Sequence, residues 1–211
     1  MSTQLAQDIR IGTLVRPDAG YIQQVVPHGF ESISITFWQN HGDTDLTQLA
    51  SEVNEVLSDT PCVVSSLGVF GNPLMDDENA ELTRKSWEAC IDAAGLFGCD
   101  IVAGFAGRLV DHPIPESMPR YKEVFQPLAK RAADQGVRLA FENCDMGGTW
   151  SKGDWNIAQT PACWEMIFNE LPDANIGLEW EPCHQMVKLL EPIPQLRKYG
   201  ERIFHVHGKD A

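Results

Sequence analysis

The sequence predicts a (β/α)₈ barrel, an α/β fold in which parallel strands alternate with helices. Three observations favour this fold. Short β-rich runs alternate along the chain with longer stretches of helical character. Seven strand candidates begin about 23 to 39 residues apart, which suits a barrel of about 250 residues. Neither GxGxxG nor GxxxxGK[ST] occurs after the first strand, so the runner-up, a nucleotide-binding doubly wound sheet, lacks its usual motifs.

Residues typical of helix ends bound the predicted elements. Gly136 and Gly98 each end a helix shortly before a strand, and Thr160 caps a helix that begins at Pro161. The predicted strands are Ile9–Leu14, Ser32–Trp38, Cys62–Gly68, Ile101–Phe105, Val137–Asn143, Asn175–Glu181 and Ile203–His207. The predicted helices are Thr44–Ser58, Ala80–Phe97, Pro119–Gln135, Pro161–Leu171 and Met186–Tyr199.

Composition indicates one globular domain over residues 1–211. The chain is 43% hydrophobic and 22% charged, and no apolar run approaches the ~18 residues of a membrane span. The first residues lack the pattern of a signal peptide, so we expect a cytoplasmic protein. Its six cysteines form no CxxC pair, which is typical of reduced thiols rather than of a structural zinc site.

The net charge limits the partners. Acidic residues outnumber basic ones by 30 to 16, giving a formal charge of −14, and such a surface repels phosphate backbones. We therefore expect a small-molecule substrate, with no nucleic acid and no membrane as partner. A homo-oligomer is left open by the sequence.

Polar residues gather at the carboxyl ends of the last three strands, where active sites of such barrels lie. Because side chains alternate along a strand, Glu142, Glu179, Glu181, His205 and His207 are predicted to face the lumen. His205 lies one layer deeper than His207, so we interpret it as structural or as support for a ligand. The residues between these are predicted to face the helices: Leu139, Phe141, Leu178, Trp180, Phe204 and Val206.

Single residues of these types often have ordinary roles. A lone Glu at a strand end is usually a surface or capping residue, and a lone inward His is usually a hydrogen-bonded core residue. Three adjacent strands that all carry metal-type ligands at one level favour a different interpretation, because buried charges need partners. A divalent cation would supply one.

Several motifs resemble one known family. "GFESISI" at the second strand, "LAFEN", "NIAQTPACWEMIF", "IGLEWEPCH" and "RIFHVHGKDA" together are similar to the xylose-isomerase-like superfamily of sugar phosphate isomerases and epimerases. This superfamily includes relatives of the ketose 3-epimerases and of endonuclease IV. The resemblance covers nearly the whole chain.

The resemblance implies a divalent metal, commonly Mn²⁺, with Mg²⁺, Co²⁺ and Zn²⁺ as alternatives. Its expected ligands here are Glu142 on strand five, Glu181 on strand six and His207 on strand seven. The family pattern of an acid followed three residues later by a substrate-contacting His matches Glu181 and His184. This chain departs from the family in two ways. The strand-six acid is usually Asp, which is one methylene shorter than Glu181, and the family's strand-eight Glu has no counterpart before Ala211.

Other polar and aromatic residues have two interpretations each. Trp38 could stack on a sugar face or plug the barrel mouth, and Lys209 could bind substrate oxygens or pair with Asp210. Trp150 and Trp155 could form a lid after strand five or pack as part of a surface loop. His41 and His112 are candidate substrate contacts in loops on the active face.

The expected reaction is isomerisation or epimerisation of a keto-sugar. A metal that chelates a carbonyl and the adjacent hydroxyl stabilises an enediolate, Glu142 acts as ligand and acid/base, and His184 orients the carbonyl. A lyase acting on 3-keto-glycosides is the nearest alternative. An endonuclease IV-like phosphodiesterase and a non-catalytic barrel subunit are more distant ones.

The segment "FHVHGKDA" at Phe204 to Ala211 is predicted to contain the seventh barrel strand. A seven-stranded barrel would leave the edges of strands one and seven unpaired. We therefore expect an eighth βα unit of roughly 30 residues beyond Ala211, which would also supply the fourth ligand. Strand seven should then pair with strand six and not with strand one.

Overall fold

A computed structural model describes residues 9–209 and contains one sheet of seven parallel strands in the order β1-β2-β3-β4-β5-β6-β7. The strands are β1 Gly12–Val15, β2 Ser32–Trp38, β3 Val63–Phe70, β4 Ile101–Gly104, β5 Arg138–Glu142, β6 Ile176–Trp180 and β7 Ile203–Val206. The helices are α1 Ala19–Val25, α2 Leu46–Leu57, α3 Glu78–Ala93, α4 Ile114–Asp134, α5 Pro161–Glu170, α6 Pro182–Met186 and α7 Pro192–Tyr199.

This alternation of strand and helix confirms the predicted fold class. Seven parallel strands of a (β/α) barrel follow one another in the order of the sequence. The structure corrects two helices. α1 is absent from the predicted set, because its seven residues give too short a periodic pattern. Only the second part of the predicted helix Met186–Tyr199 is an α-helix: α6 ends at Met186, Leu189 has a left-handed φ of 58°, and α7 begins at Pro192.

The main hydrophobic core lies between the sheet and the helices. Leu139, Phe141, Leu178 and Trp180 belong to it, so their predicted outward direction is confirmed. The Phe141 ring packs edge-on against Phe125 of α4, with ring centroids 4.8 Å apart, a favoured geometry for aromatic pairs.

The lumen side of the sheet is filled at its lower level by one aromatic ring. The register aligns small residues from neighbouring strands, Ala103, Ala140 and Gly177. The Phe204 ring packs against the two alanines, and a Cβ added to Gly177 would overlap it. The prediction that Phe204 faces the helices is therefore wrong.

A β-bulge explains the position of Phe204. Leu178 pairs with Ile203 and Glu179 pairs with His205, so Phe204 is an extra residue in β7. The bulge breaks the simple alternation of side chains before His205. Val206, beyond the bulge, is 49% exposed and lines the lumen cavity, so it does not pack beneath the helices as predicted either.

The sheet edges agree with what we expect of the terminal segment. Within residues 9–209, β7 pairs with β6 and β1 pairs with β2, and the two edge strands do not pair with each other. The eighth unit itself stays a prediction. In the same part of the chain, no helix combines the length and the apolar character that a membrane crossing would require.

We predict that Gly104→Ala destabilises the barrel, because a Cβ at Gly104 would overlap the Val69 carbonyl oxygen and the backbone has a φ of 154°. The expected loss in the free energy of unfolding is about 2–4 kcal/mol. Chemical denaturation would measure it. Gly95→Ala is the matched control, since no atom lies within 4 Å of its added Cβ. Equal stability of the two variants would contradict the prediction.

Candidate metal centre and active site

A cavity of about 330 Å³ opens between the edges of β1 and β7 and reaches the carboxyl ends of β5 and β6. Hydroxyl groups of Ser32, Ser34 and Ser65 lie on its lining, opposite the acidic side chains of Glu142 and Glu181. The remaining residues that line the cavity come from the sheet edges, at positions 10, 12–14 and 205–209. The cavity is therefore polar on two sides.

The structure brings together Glu142, Glu181 and His207, which we call the ligand cluster. His207 Nδ1 lies 3.3 Å from Glu142 Oε1 and 3.6 Å from Glu181 Oε2. One ligand atom from each residue lies within 4.8 Å of the other two. Bonds of about 2.0–2.2 Å to one cation require ligand atoms at separations of this kind. The cluster can hold a divalent ion.

Backbone interactions fix the two carboxylates at the strand ends. Asn143 and Glu181 bond reciprocally: Asn143 Nδ2 donates to the Glu181 carbonyl at 2.9 Å, and the Glu181 amide donates to Asn143 Oδ1 at 2.6 Å. Asn156 Nδ2 donates to the carbonyl oxygens of Glu142 and Cys144. These buried amides join the ends of β5 and β6 and hold both acids at one level.

Charges in the ligand cluster are strongly coupled. Burial raises the pKa of Glu142 to about 7, with His207 opposing the rise and Glu181 adding to it. Burial also disfavours the charged form of Glu181, but contacts with His184 and His207 outweigh it and hold that pKa well below the usual glutamate range. Burial opposes protonation of His207, yet Glu142, Glu179 and Glu181 raise its pKa to about 12. Without a cation, the cluster therefore retains protons at neutral pH.

His184 and Lys209 flank Glu181 from two sides. His184 Nε2 lies 3.3 Å from Glu181 Oε2, and Lys209 Nζ lies 2.8 Å from Glu181 Oε1. Cys144 and Glu181 raise the pKa of His184 to about 10. The expected partner of Lys209, Asp210, lies outside the described residues. Both cations thus adjoin the ligand cluster, and Lys209 also lines the cavity.

Glu179 and His205 lie below the ligand cluster. Glu179 is fully buried, and its Oε1 accepts a hydrogen bond from His205 Nδ1 at 2.8 Å. His205 Nε2 lies 3.1 Å from the Ser65 hydroxyl across the lumen on β3. From the sequence, Glu179 was predicted to face the lumen but was given no role in the site.

Among residues 9–209, the buried atoms Glu179 Oε2, His184 Nε2 and His207 Nε2 have no hydrogen-bond partner. The nitrogens face carboxylate oxygens at 3.2–3.3 Å but are not oriented to donate to them. Buried polar atoms are nearly always bonded. The oxygen and imidazole donors of the ligand cluster fit a divalent cation, and these neighbouring atoms keep unused hydrogen-bonding capacity beside it.

Trp38 faces the lumen mouth within a group of aromatic residues. Its ring is 60% exposed and lies 5.6 Å from that of Trp155, which in turn lies 6.4 Å from Phe105. Phe105 packs edge-on against Phe70. We call Trp38, Phe70, Phe105 and Trp155 the aromatic wall. The sequence analysis missed the two phenylalanines. The alternation of side chains could have identified them. Phe70 follows Gly68 by two residues and Phe105 follows Ala103 by two, and both small residues face the lumen.

The remaining loop residues have structural contacts. His41 Nδ1 lies 2.7 Å from the Ser86 hydroxyl, and His112 Nδ1 lies 2.7 Å from the Val110 carbonyl. Arg108 is fully buried and donates to the carbonyl oxygens of His112, Thr149 and Trp150. Arg108 therefore fixes the loop after β5 that carries Trp150 and Trp155.

A family model described as xylose isomerase-like TIM barrel matches residues 22–211. The chain belongs to this family. The family accounts for the sequential parallel strands and for the polar residues at their carboxyl ends. No curated protein matches the sequence.

Solved structures of this xylose isomerase-like fold superpose on most of the chain. A D-allulose 3-epimerase from Methylomonas sp. in complex with D-allulose has a TM-score of 0.70 and 17% identity, covering 94% of this chain and 72% of that one. 3-Keto-D-glucoside 4-epimerase from E. coli has a TM-score of 0.73 and 15% identity, covering 95% and 78%. A probable 3-DHS dehydratase from Bacillus anthracis has a TM-score of 0.70 and 14% identity, covering 94% and 72%. At these identities the likeness concerns the fold.

We predict that the chain binds divalent cations more tightly as pH rises from 6 to 8. The pKa of Glu142 is about 7 and that of His207 is about 12, so a bound cation must displace a proton from His207 throughout this range and from Glu142 below about pH 7. The dissociation constant for Mn²⁺ should fall about tenfold per pH unit for each proton displaced. Calorimetry in two buffers of different ionisation enthalpy would count the protons.

His112→Gln is the control for this measurement, because His112 contacts a loop carbonyl rather than the ligand cluster. It should retain the pH dependence of the unmodified chain. An Mn²⁺ affinity that does not change between pH 6 and 8 would refute the linkage.

Proposed function

We propose that the protein is a divalent-metal-dependent epimerase or isomerase of keto-sugars. The observation that carries this proposal is the ligand cluster at the cavity, formed by Glu142, Glu181 and His207 at the carboxyl ends of three adjacent strands. Two carboxylates and one imidazole favour Mn²⁺. A bound cation of this kind would polarise a carbonyl and an adjacent hydroxyl of the substrate.

In this proposal Glu142 moves the proton on the carbon next to the carbonyl. The pKa of Glu142, about 7 in the cation-free chain, would fall when a cation binds, so the bound carboxylate would be ionised and able to take a proton. Its carboxylate is almost fully buried yet lines the cavity. Glu181, whose pKa is held low, stays ionised throughout. The two acids thus divide into a proton carrier and a permanent charge.

His184 and Lys209 would bind substrate oxygens. The raised pKa of His184 keeps its ring protonated at neutral pH, so it can donate to a carbonyl oxygen as negative charge develops there. The aromatic wall offers the apolar face of Trp38 to a sugar ring. Lys209 is already paired with Glu181, and Arg10 is the other lysine or arginine among the described residues that line the cavity. This small number of cations favours an unphosphorylated substrate.

The same proposal includes the extent of the barrel. We propose that residues 1–211 belong to one barrel domain and that an eighth strand lies between β1 and β7. The cavity is bordered there by Gly12–Leu14 on one edge and by Val206 and Gly208 on the other. A strand at this position would satisfy both edges and could add a fourth ligand.

A lyase acting on 3-keto-glycosides is the second candidate. It would use the same first step, after which a leaving group β to the deprotonated carbon departs. The neighbouring folds of 3-keto-D-glucoside 4-epimerase and of a probable 3-DHS dehydratase favour keeping this alternative. Both reactions would use the same ligand cluster, so only the product formed from the substrate distinguishes them.

We predict that Mn²⁺-loaded protein incorporates deuterium next to the carbonyl of its substrate in D₂O. A panel of ketoses and 3-keto-glycosides followed by NMR and mass spectrometry would identify the product. An epimer carrying one deuterium supports the proposal, and an unsaturated product with loss of the leaving group supports the lyase. If metal-replete protein converts neither class of substrate, the proposed function is wrong.

We predict that Glu142→Gln lowers turnover on the order of 10²-fold or more, because glutamine retains the shape of the side chain but cannot act as a base. Turnover should be measured at saturating Mn²⁺, with bound metal determined by elemental analysis. Glu55→Gln, at an exposed position on α2, is the matched control and should retain activity. Near-normal turnover of a metal-replete Glu142→Gln protein would remove Glu142 from the mechanism.

A further inference from the structure

Glu179 is the deepest carboxylate of the lumen and does not line the cavity. It pairs in register with Glu142 of β5 on one side and with His205 of β7 on the other. Its side chain therefore lies beneath the ligand cluster, between two strands that carry functional groups. Burying a carboxylate costs free energy unless hydrogen bonds or opposite charges compensate for the lost water.

One oxygen of Glu179 lies close to two histidine rings. Oε1 accepts from His205 Nδ1 at 2.8 Å and lies 3.2 Å from His207 Nε2. The other nitrogen of His207, Nδ1, faces Glu142 Oε1 at 3.3 Å and Glu181 Oε2 at 3.6 Å. The His207 ring thus has one nitrogen toward the ligand cluster and one toward Glu179.

We propose that Glu179 is a positioning residue that keeps the Nε2–H of His207 directed at its own Oε1 and leaves the Nδ1 lone pair for the cation. This inference rests on the proposed metal site. A neutral imidazole ligates through its unprotonated nitrogen, and a carboxylate at the other nitrogen selects that tautomer and strengthens the ligand. Among the described residues His207 Nε2 has no hydrogen-bond partner, and its 3.2 Å contact with Glu179 would become a hydrogen bond once the cation aligns the ring.

His205 and Ser65 hold Glu179 in place for this task. The His205 ring is bonded at both nitrogens, to Glu179 at 2.8 Å and to the Ser65 hydroxyl at 3.1 Å. The bulge at Phe204 creates this arrangement, because it brings His205 opposite Glu179. The resulting chain of contacts crosses the lumen from β3 to β7 and ends at His207.

A second cation bound by Glu179, His205 and His207 is the rival interpretation, since their ligand atoms also lie within 4.8 Å of one another. The contacts favour the positioning role. Both His205 nitrogens already have partners, and Glu179 Oε1 already accepts a hydrogen bond from His205. A cation there would have to break the existing bonds.

The first test uses Zn²⁺, which is diamagnetic, and protein labelled with ¹⁵N-histidine. In the unmodified chain we expect one Zn²⁺ per chain, with His207 ligating through Nδ1 and carrying a proton on Nε2. Two Zn²⁺ ions per chain, or ligation of His207 through Nε2, would overturn the inference. This measurement needs no variant, so it decides the question even if substitutions at Glu179 do not fold.

The second test compares Zn²⁺ affinities. Glu179→Gln should weaken Zn²⁺ binding about 10–100-fold and reduce the Nε2-protonated form of His207. Glu55→Gln, at an exposed position on α2, is the matched control and should keep the Zn²⁺ affinity of the unmodified chain. Unchanged Zn²⁺ affinity in a folded Glu179→Gln protein would overturn the inference.

The two tests separate this inference from the proposed function. Nδ1 ligation with a weakened Glu179→Gln variant supports the role of Glu179 even where no sugar is converted, and in that case only the proposed reaction fails. Turnover of a sugar by a protein whose His207 ligates through Nε2 would overturn the role of Glu179 alone. Absence of Zn²⁺ binding to the unmodified chain would overturn both.

Discussion

The burial of three carboxylates in one lumen is the constraint on which the rest of the site depends. Glu142, Glu179 and Glu181 are each less than a tenth exposed. Neighbouring buried carboxylates cannot all stay ionised unless positive charge compensates for their repulsion. Protonation of one carboxylate, two imidazoles and a lysine supplies that compensation in the cation-free chain. Every polar element of the site can be understood as a response to this excess of negative charge.

Much of the fold and the direction of the principal side chains could be predicted from sequence, because both depend on periodicity. A strand that alternates Leu139, Ala140, Phe141 and Glu142 has one possible orientation against a layer of helices. The single-residue irregularities could not be predicted. The extra residue at Phe204 depends on how β7 pairs with β6, and the left-handed φ at Leu189 is a conformation that leucine does not favour.

Distances between side chains on different strands could not be predicted from the sequence either. The reciprocal bonds of Asn143 and Glu181 fix the separation of two acids that lie 39 positions apart in the chain, at 142 and 181. The aromatic wall depends on the register of β2, β3 and β4. The solved neighbours share the fold at 14–17% identity and include two epimerases and a probable dehydratase. A fold does not determine a reaction, so the proposed function depends on the residues around the ligand cluster rather than on the barrel.

The Phe204 ring also determines where protons can travel. It lies on Gly177, Ala103 and Ala140, one register position below Glu179, and so forms a dry floor beneath the acids. In the proposed reaction, a proton taken from the substrate would therefore have to return to the substrate or exchange with solvent through the cavity. The time that the substrate stays over the cavity would then set how much of the abstracted hydrogen is kept in the product.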